Sequence, residues 1–427
     1  MEQKYPEFSK NSVLAAVVAA IFLLAGTASA QAPVLISFDQ AVDLALTHSH
    51  NLKATETQLG QNKGLELTAS LRPNPTLFWD ALFIPFSAQN FSVDNLNTTQ
   101  QFDLGVSYLL ERGGKRQRRI DAARDATGVT RYQIDDFRRV LMFNVAQQFI
   151  NAQLAQSVLA FANQDLDSFK QTVDISEERY KAGAISEGDL LKIKVQLLQF
   201  QTDLAGAQVA KVQALATLRQ LLGYDAVPAN YDVQGELNYQ PLTLNLDDLK
   251  LRALKARPDL LAAEQGVRAA QSQIALAKAN GKVDLTSQFA YSHVADQSSA
   301  SFTFSVPLPV FDRNQGEIER TRFALTQSQQ LAEAASDTVL TDVRNNYEAF
   351  LTNQQIVNLY LSGYLKQAKD SRDISSYAYK RGAASLLDFL DAERSYRATQ
   401  LSYRQALANY LLSIEQLKEA VGTRTLP

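Results

Sequence analysis

The side chains able to do chemistry are sparse in this 427-residue chain, and their spacing suits none of the common sites. There are three histidines and no cysteine. His48 and His50 stand two apart, so a helix would turn them to different faces, a poor arrangement for a shared metal. His293 is alone near the end of an alternating segment. Without cysteine there are no disulfides, no thiolate metal sites, no thiol nucleophile and no lipid anchor on an N-terminal cysteine. Gly113-Gly114-Lys115 has the look of a phosphate loop but lacks its upstream glycine and the Ser/Thr that should follow. No catalytic triad is spaced correctly, so the expectation is a protein that is not an enzyme and carries no cofactor or resident metal. Asp388 and Asp391 are three apart and share one face of a helix. Near a helix start, that is also the ordinary place for solvated acidic groups. Charge is nearly balanced, 42 basic against 45 acidic residues. The only dense basic run, residues 112–119, is short, which argues against nucleic acid as a partner.

The N-terminus reads as an export signal. Lys4 and Lys10 precede an apolar run over 13–25, too short to span a bilayer, and Ala28-Ser29-Ala30 supplies a small-residue cleavage site. Cleavage after Ala30 would start the mature chain at Gln31. A retained membrane anchor is the alternative, disfavoured by segment length. No later stretch has the roughly 20 apolar residues of a membrane helix, so any membrane span must be made of strands.

The chain repeats itself. Tyr180-Lys181-Ala182-Gly183-Ala184-Ile185-Ser186, followed by Asp189 and Leu191, returns 199 positions later as Tyr379-Lys380-Arg381-Gly382-Ala383-Ala384-Ser385, followed by Asp388 and Leu390. Gly223 and Gly422, each closing a helical stretch, stand the same distance apart. Self-similarity of this length implies a pseudo-symmetric architecture. The expected division is a signal over 1–30, a first unit over 31–223, a linker over 224–245 carrying Pro228, Gly235 and Pro241, a second unit over 246–422 and a tail over 423–427. Each unit reads helix, strand, strand, long helix, helix.

In the helices, apolar positions step by three and four, the coiled-coil period: Val140, Phe143, Gln147, Ile150, Leu154, Ser157 and Phe161 in one unit, Val343, Tyr347, Phe350, Gln354, Val357, Leu361 and Tyr364 in the other. By themselves these would fit a soluble helical bundle. The strands point elsewhere. Phe102, Leu104, Val106, Tyr108 and Leu110 alternate with polar or small residues. So do Val283, Leu285, Phe289 and Tyr291, and Phe302, Phe304, Val306 and Leu308. A less regular segment over 77–86 carries Trp79. Such alternation suits a sheet with one face to lipid and one to water. Residues 87–99 and 294–300 read as polar rim loops. Four strands cannot close a barrel, and lipid tolerates no open sheet edge. Three copies would supply about twelve strands. From residue 110 to 183, a continuous helix would reach roughly 100 Å at ~1.5 Å per residue. The shorter segments 39–72 and 186–223 would stack along it, and the second unit repeats the plan with a long helix over 314–379. The fold class expected is therefore mainly α with a β-barrel contribution: long antiparallel coiled-coil helices and four transmembrane strands per protomer, in a trimeric 12-stranded barrel continuous with a helical periplasmic tunnel.

Arg179-Tyr180-x-x-Gly183-x-x-Ser186-x-x-Asp189-Leu190-Leu191, its second copy, and the stretches Leu110-Glu111-Arg112-Gly113-Gly114-Lys115-Arg116 and Pro307-Leu308-Pro309-Val310-Phe311-Asp312-Arg313-Asn314-Gln315-Gly316-Glu317 resemble the TolC family of outer-membrane efflux proteins. The last two stretches are similar to its cobalt–zinc–cadmium resistance branch. The resemblance covers essentially the whole mature chain. It implies a passive homotrimeric duct in the cell outer membrane, fed through a periplasmic adaptor (a membrane fusion protein) by an inner-membrane pump of the RND type, and carrying metal cations or small toxic compounds. It further implies that Gly183 and Gly382 are the periplasmic turns that meet the adaptor, flanked by Ser186 and Ser385, with Tyr180, Asp189, Tyr379 and Arg381 in the tip network. Asp388 and Asp391 would then form a cation-selective ring at the gate. One departure stands out: where the family's best-known member has an arginine that helps lock the tip, this chain has Ala384. The alternatives are the outer-membrane component of a type I protein secretion system and, in a different class, a soluble periplasmic scaffold or adaptor.

Overall fold

The computed structural model describes residues 33–83, 100–294 and 296–426. The proposed signal, its cleavage site at Ala30 and the loop over 87–99 lie outside them. The described chain forms two similar halves. The first contains β1 (Val34–Ile36), α1 (Phe38–His48), α2 (His50–Ser70), β2 (Thr76–Leu82), β3 (Gln101–Leu110), α3 (Lys115–Lys181) and α4 (Glu187–Leu222). After β4 (Tyr231–Val233), the second contains α5 (Leu246–Ala256), α6 (Pro258–Asn280), β5 (Leu285–Val294), β6 (Gln297–Ser305), α7 (Gln315–Leu359), a π-helical turn (Tyr360–Tyr364), α8 (Leu365–Lys380) and α9 (Leu386–Val421).

The helix α3 has 67 residues, about 100 Å at ~1.5 Å per residue. Helices α2 and α4 pack along it in succession, and α6 and α9 also lie against it. The expected segment 39–72 breaks in two, and so does its counterpart in the second half. Ser49 ends α1 and caps α2 by accepting from the Leu52 amide. Pro258 at the first turn of α6 ends α5 at the preceding residues. The long helix expected over 314–379 is interrupted at Tyr360–Tyr364, where Gly363 adopts φ 140° and ψ −19°. That backbone region is open to glycine and strained for other residues.

Strands β2, β3, β5 and β6 form one antiparallel sheet in that order. The polar segment expected as a loop over 294–300 is instead largely strand, since β6 begins at Gln297 and pairs back onto β5. Register sorts the side chains by face. Leu77, Val106, Phe289 and Phe302 form one row across all four strands, and Trp79, Leu104, Tyr291 and Ala300 a second row on the same side. The opposite side carries Asp80, Asp103, Ser292 and Ser299 in one row, with Thr76, Ser107, Gln288 and Thr303 in another. Phe78 is the aromatic exception on that side; its ring lies over Gly105, where a β-carbon would overlap it. The outer edges of β2 and β6 pair with no described strand. Among the described residues, no helix is long and apolar enough to cross a membrane.

Three apolar cores hold the helices. One belongs to the first half and gathers Val42, Val145, Phe149, Leu218 and Tyr231. Its counterpart gathers Leu249, Val343, Phe350, Tyr410 and Leu417. The linker binds to both. Its strand β4 pairs in parallel with β1, an element the sequence pattern did not reveal. Its later carbonyls accept from the second half: Tyr410 Oη donates to Gln240 O at 2.7 Å and Tyr347 Oη to Leu244 O at 3.1 Å. The third core is different because it draws on both halves: Phe169, Ile193 and Phe200 meet Tyr379, Leu386 and Phe389 near the two glycine turns.

Candidate functional site

The two turns are built alike. At the end of α3, Ala184 N donates to Arg179 O at 2.8 Å and Gly183 N to Tyr180 O at 2.9 Å. At the end of α8, Ala383 N donates to Ala378 O at 2.8 Å and Gly382 N to Tyr379 O at 3.0 Å. This pair of bonds is the Schellman motif, which needs a left-handed residue at its centre. Gly183 (φ 73°) and Gly382 (φ 77°) supply it. The next helix then starts on a serine cap. Ser186 Oγ accepts from Asp189 N at 3.1 Å, and Ser385 Oγ accepts from Asp388 N at 3.2 Å. The repeated sequence is thus a stop signal followed by a start signal, and it returns the chain within a few residues.

The turns are neighbours in space. Arg179 Nη1 donates to Tyr379 O at 2.5 Å, and its guanidinium lies 5.0 Å from the centre of the Tyr379 ring. The Tyr379 hydroxyl meets Ser176 Oγ at 3.4 Å, and its ring stacks on Phe389 at 5.2 Å. Phe389 continues to Phe169 at 6.4 Å, and Phe169 to Phe200 at 4.3 Å. Equivalent tyrosines therefore have different surroundings: Tyr379 is buried while Tyr180 is 40% exposed. Arg381 stays on its own helix, over the Tyr377 ring at 5.5 Å. The crossing cation is Arg179, which the sequence pattern quoted but did not single out. Ala384 contributes no charged group at the position where the best-known family member has arginine. Between α3 and α4, Glu177 pairs with Lys194 at 2.7 Å, and hydrogen bonding from that ammonium holds the Glu177 carboxyl below the usual range.

Asp388 and Asp391 both face outward. Asp388 Oδ2 accepts from Ser385 Oγ at 2.7 Å, and Asp391 Oδ1 from Arg394 Nη2 at 2.5 Å. Each is held by a partner at the start of its own helix, so a ring of these carboxylates needs further copies. Asp189 is half-buried and reaches Lys192 at 3.7 Å. Among the described residues, no group of three or more His, Asp or Glu side chains is disposed to hold a metal ion.

Two long helical hairpins with capped glycine turns, joined to a sheet with one apolar and one polar face, define the class of outer-membrane channel subunits with a helical tunnel. The chain belongs to the outer membrane efflux protein family, which it matches over residues 41–224 and 251–423, one stretch in each half. It is 24% identical to the cobalt-zinc-cadmium resistance protein CzcC of Cupriavidus metallidurans, across 91% of this chain and 90% of that protein. It is 27% identical to the cation efflux system protein CusC of Escherichia coli, across 76% of this chain and 73% of that protein. A crystal structure of CusC superimposes with a TM-score of 0.76 at 21% identity, covering 92% of this chain and 94% of that one. The fold is the one these channels share, and the chain is an outer-membrane efflux channel subunit.

Proposed function

We propose that three copies of this chain form a passive exit duct, with a 12-stranded barrel in the outer membrane and a tunnel of helices in the periplasm. Export would follow removal of residues 1–30 after Ala30. The observation that carries this reading is the four-stranded sheet with an apolar face and two edges that pair with no described strand. Trp79 is 68% exposed, Phe302 73% and Phe304 67%, which is tenable in lipid and costly in water. Lipid cannot satisfy the edge amides and carbonyls, so β2 of one copy must meet β6 of the next.

The turns at Gly183 and Gly382 are the surface offered to a periplasmic adaptor, which links the duct to an inner-membrane pump of the RND type. Tyr180, Ser186, Asp189, Tyr379, Arg381 and Ser385 form and flank that surface. The Asp388 and Asp391 carboxylates of three copies form the cation-selective ring at the gate. The names of the relatives CzcC and CusC support metal cations, or other small toxic compounds, as cargo. The test is to purify the full chain in detergent and insert it in a planar bilayer. A trimer giving uniform conductance steps is expected; a monodisperse monomer without conductance would overturn the reading.

A further inference from the structure

Above the aromatic stack lies a group of buried charges that neither the glycine turns nor the sheet requires. Asp165 of α3 is 4% exposed and Glu393 of α9 is 6% exposed. Arg397, one turn beyond Glu393, crosses between the halves. Its Nε donates to Asp165 Oδ2 at 2.6 Å and its Nη2 to Asp203 Oδ2 of α4 at 2.6 Å. The guanidinium also lies 4.0 Å from the centre of the Phe200 ring. One α9 side chain therefore holds both helices of the other hairpin. Glu393 and Asp165 interact electrostatically across the packing of α9 on α3. Two buried carboxyl groups that interact disfavour being ionised at the same time.

The second observation is a hinge. The helix running beside α9 is broken at Tyr360–Tyr364, with Gly363 at φ 140°, and α8 begins immediately below. The first half has no such break, since α3 is continuous from Lys115 to Lys181. The non-helical Gly363 interrupts the hydrogen-bond ladder and kinks the helix, which leaves a point about which its two parts can bend. Below it, α8 and the first turns of α9 are tied to α3 and α4 by Arg179, by the aromatic stack and by the buried charges.

We propose that Asp165, Glu393 and Arg397 form a proton-dependent latch that holds the α8–α9 hairpin against α3 and α4 beneath the Gly363 hinge. The inference rests on the channel reading for its purpose, as control of the duct's periplasmic end. The charged and titratable groups around Glu393 are Asp165 from α3, Arg372 from α8, Arg397 and Tyr396 of α9, and Asp203 of α4 through Arg397. Burial, followed by the Asp165 charge, pushes the Glu393 carboxyl up to about 7. Burial likewise raises Asp165, against the pull of Arg397. Released into water, Glu393 would return to the ordinary carboxylate range near 4.3. The latched state thus binds the extra proton. Its advantage is complete below that ordinary range and declines as pH rises toward the raised value. Above that value the pair faces itself as two anions. Within the window, linkage shifts the equilibrium by up to about tenfold per pH unit.

The cysteine-free sequence makes the test direct. Ala184→Cys and Ala383→Cys place one spin label on each exposed turn. Pulsed dipolar spectroscopy on the full chain in detergent then reads their separation between about pH 4 and about pH 8.5, a range that brackets the ordinary and raised carboxyl values. The separation should grow or broaden as pH rises through the window. Glu393→Gln keeps a neutral donor toward Asp165 and should hold the low-pH distribution throughout. An unchanged parent distribution, or the parent's response persisting in Glu393→Gln, would overturn the latch. A response lost in Asp388→Asn with Asp391→Asn, yet kept in Glu393→Gln, would assign the effect to the exposed tip carboxylates instead. The readout needs no conduction, so its failure is separate from a failure of the bilayer test.

Discussion

Arg179 and Arg381 show what residue type alone could convey. Both are arginines in the last turn before a glycine stop, and Arg381 stands three positions before Ala384. Yet Arg179 crosses to Tyr379, while Arg381 rests on Tyr377 of its own helix. Which of two like residues makes the contact depends on how the hairpins pack, and the repeat does not encode that. The glycines were legible because their requirement is local: φ 73° at Gly183 and φ 77° at Gly382 lie in the left-handed region that a β-carbon disfavours. Gly183→Ala or Gly382→Ala should each cost about 1 kcal/mol locally, seen as faster amide exchange in the adjoining turns rather than as a global loss. Equal exchange in the parent and both variants would contradict the local account. The acidic pair makes a different prediction. Replacing Asp388 and Asp391 by alanine should weaken block of the pore by multivalent cations at least several-fold, since rings of carboxylates concentrate cations. Block that survives unchanged would remove the ring, and Arg394→Ala should strengthen block by freeing Asp391 from its partner.

At the level of elements, periodicity performed well where one face meets one environment. The three–four apolar steps foretold α3 as a helix but misplaced its core face: of the positions they named only Ile150 and Phe161 are buried, while Leu141, Val145 and Phe149 fill the core and Val140 is exposed. Alternation foretold β3 almost to its ends. Boundaries failed where the pattern changes meaning. In β6, Gln297 to Ser301 carries no large apolar residue, so it read as loop, although the ladder onto β5 supplies its pairing regardless of side chain. The three-residue β1 and β4 are too short to show a period, and their parallel pairing spans the first half. Gly363 gave only a single-residue hint of the π turn. In the sheet, Gly105 has a steric reason of its own: a β-carbon there would overlap both the Phe78 ring and the Phe289 carbonyl oxygen. Gly105→Val should therefore lower the yield of assembled protein in outer-membrane fractions. Adding Phe78→Ala should restore only part of it, because the Phe289 oxygen remains. Full restoration would place the whole clash in the ring; no loss at all would show that the sheet yields.

For the whole molecule, the decisive property is that one sheet must present different chemistry on its two sides while, among the described residues, no strand pairs with either of its edges. The halves are stabilised internally by matched cores, so the helical part could persist as a single chain, whereas the sheet has apolar side chains with no protein to cover them. Closure by neighbouring copies then assigns each face a role. The side with Val106, Phe289 and Phe302 meets lipid, and the side with Ser107, Gln288 and Thr303 lines water. A charge tests this because its cost depends on the side it enters. Arginine on the lipid face near the midplane costs about 2–4 kcal/mol, while a lumen position tolerates it. Phe289→Arg should thus deplete assembled protein from outer-membrane fractions. The adjacent substitution Gln288→Arg should assemble normally and shift the conductance toward anions, because it adds positive charge along the ion path. Quantifying assembled protein and measuring reversal potentials for both variants separates the two faces. If Phe289→Arg assembles as well as Gln288→Arg, or if Gln288→Arg leaves ion selectivity untouched, the sheet does not divide lipid from water as its alternation requires.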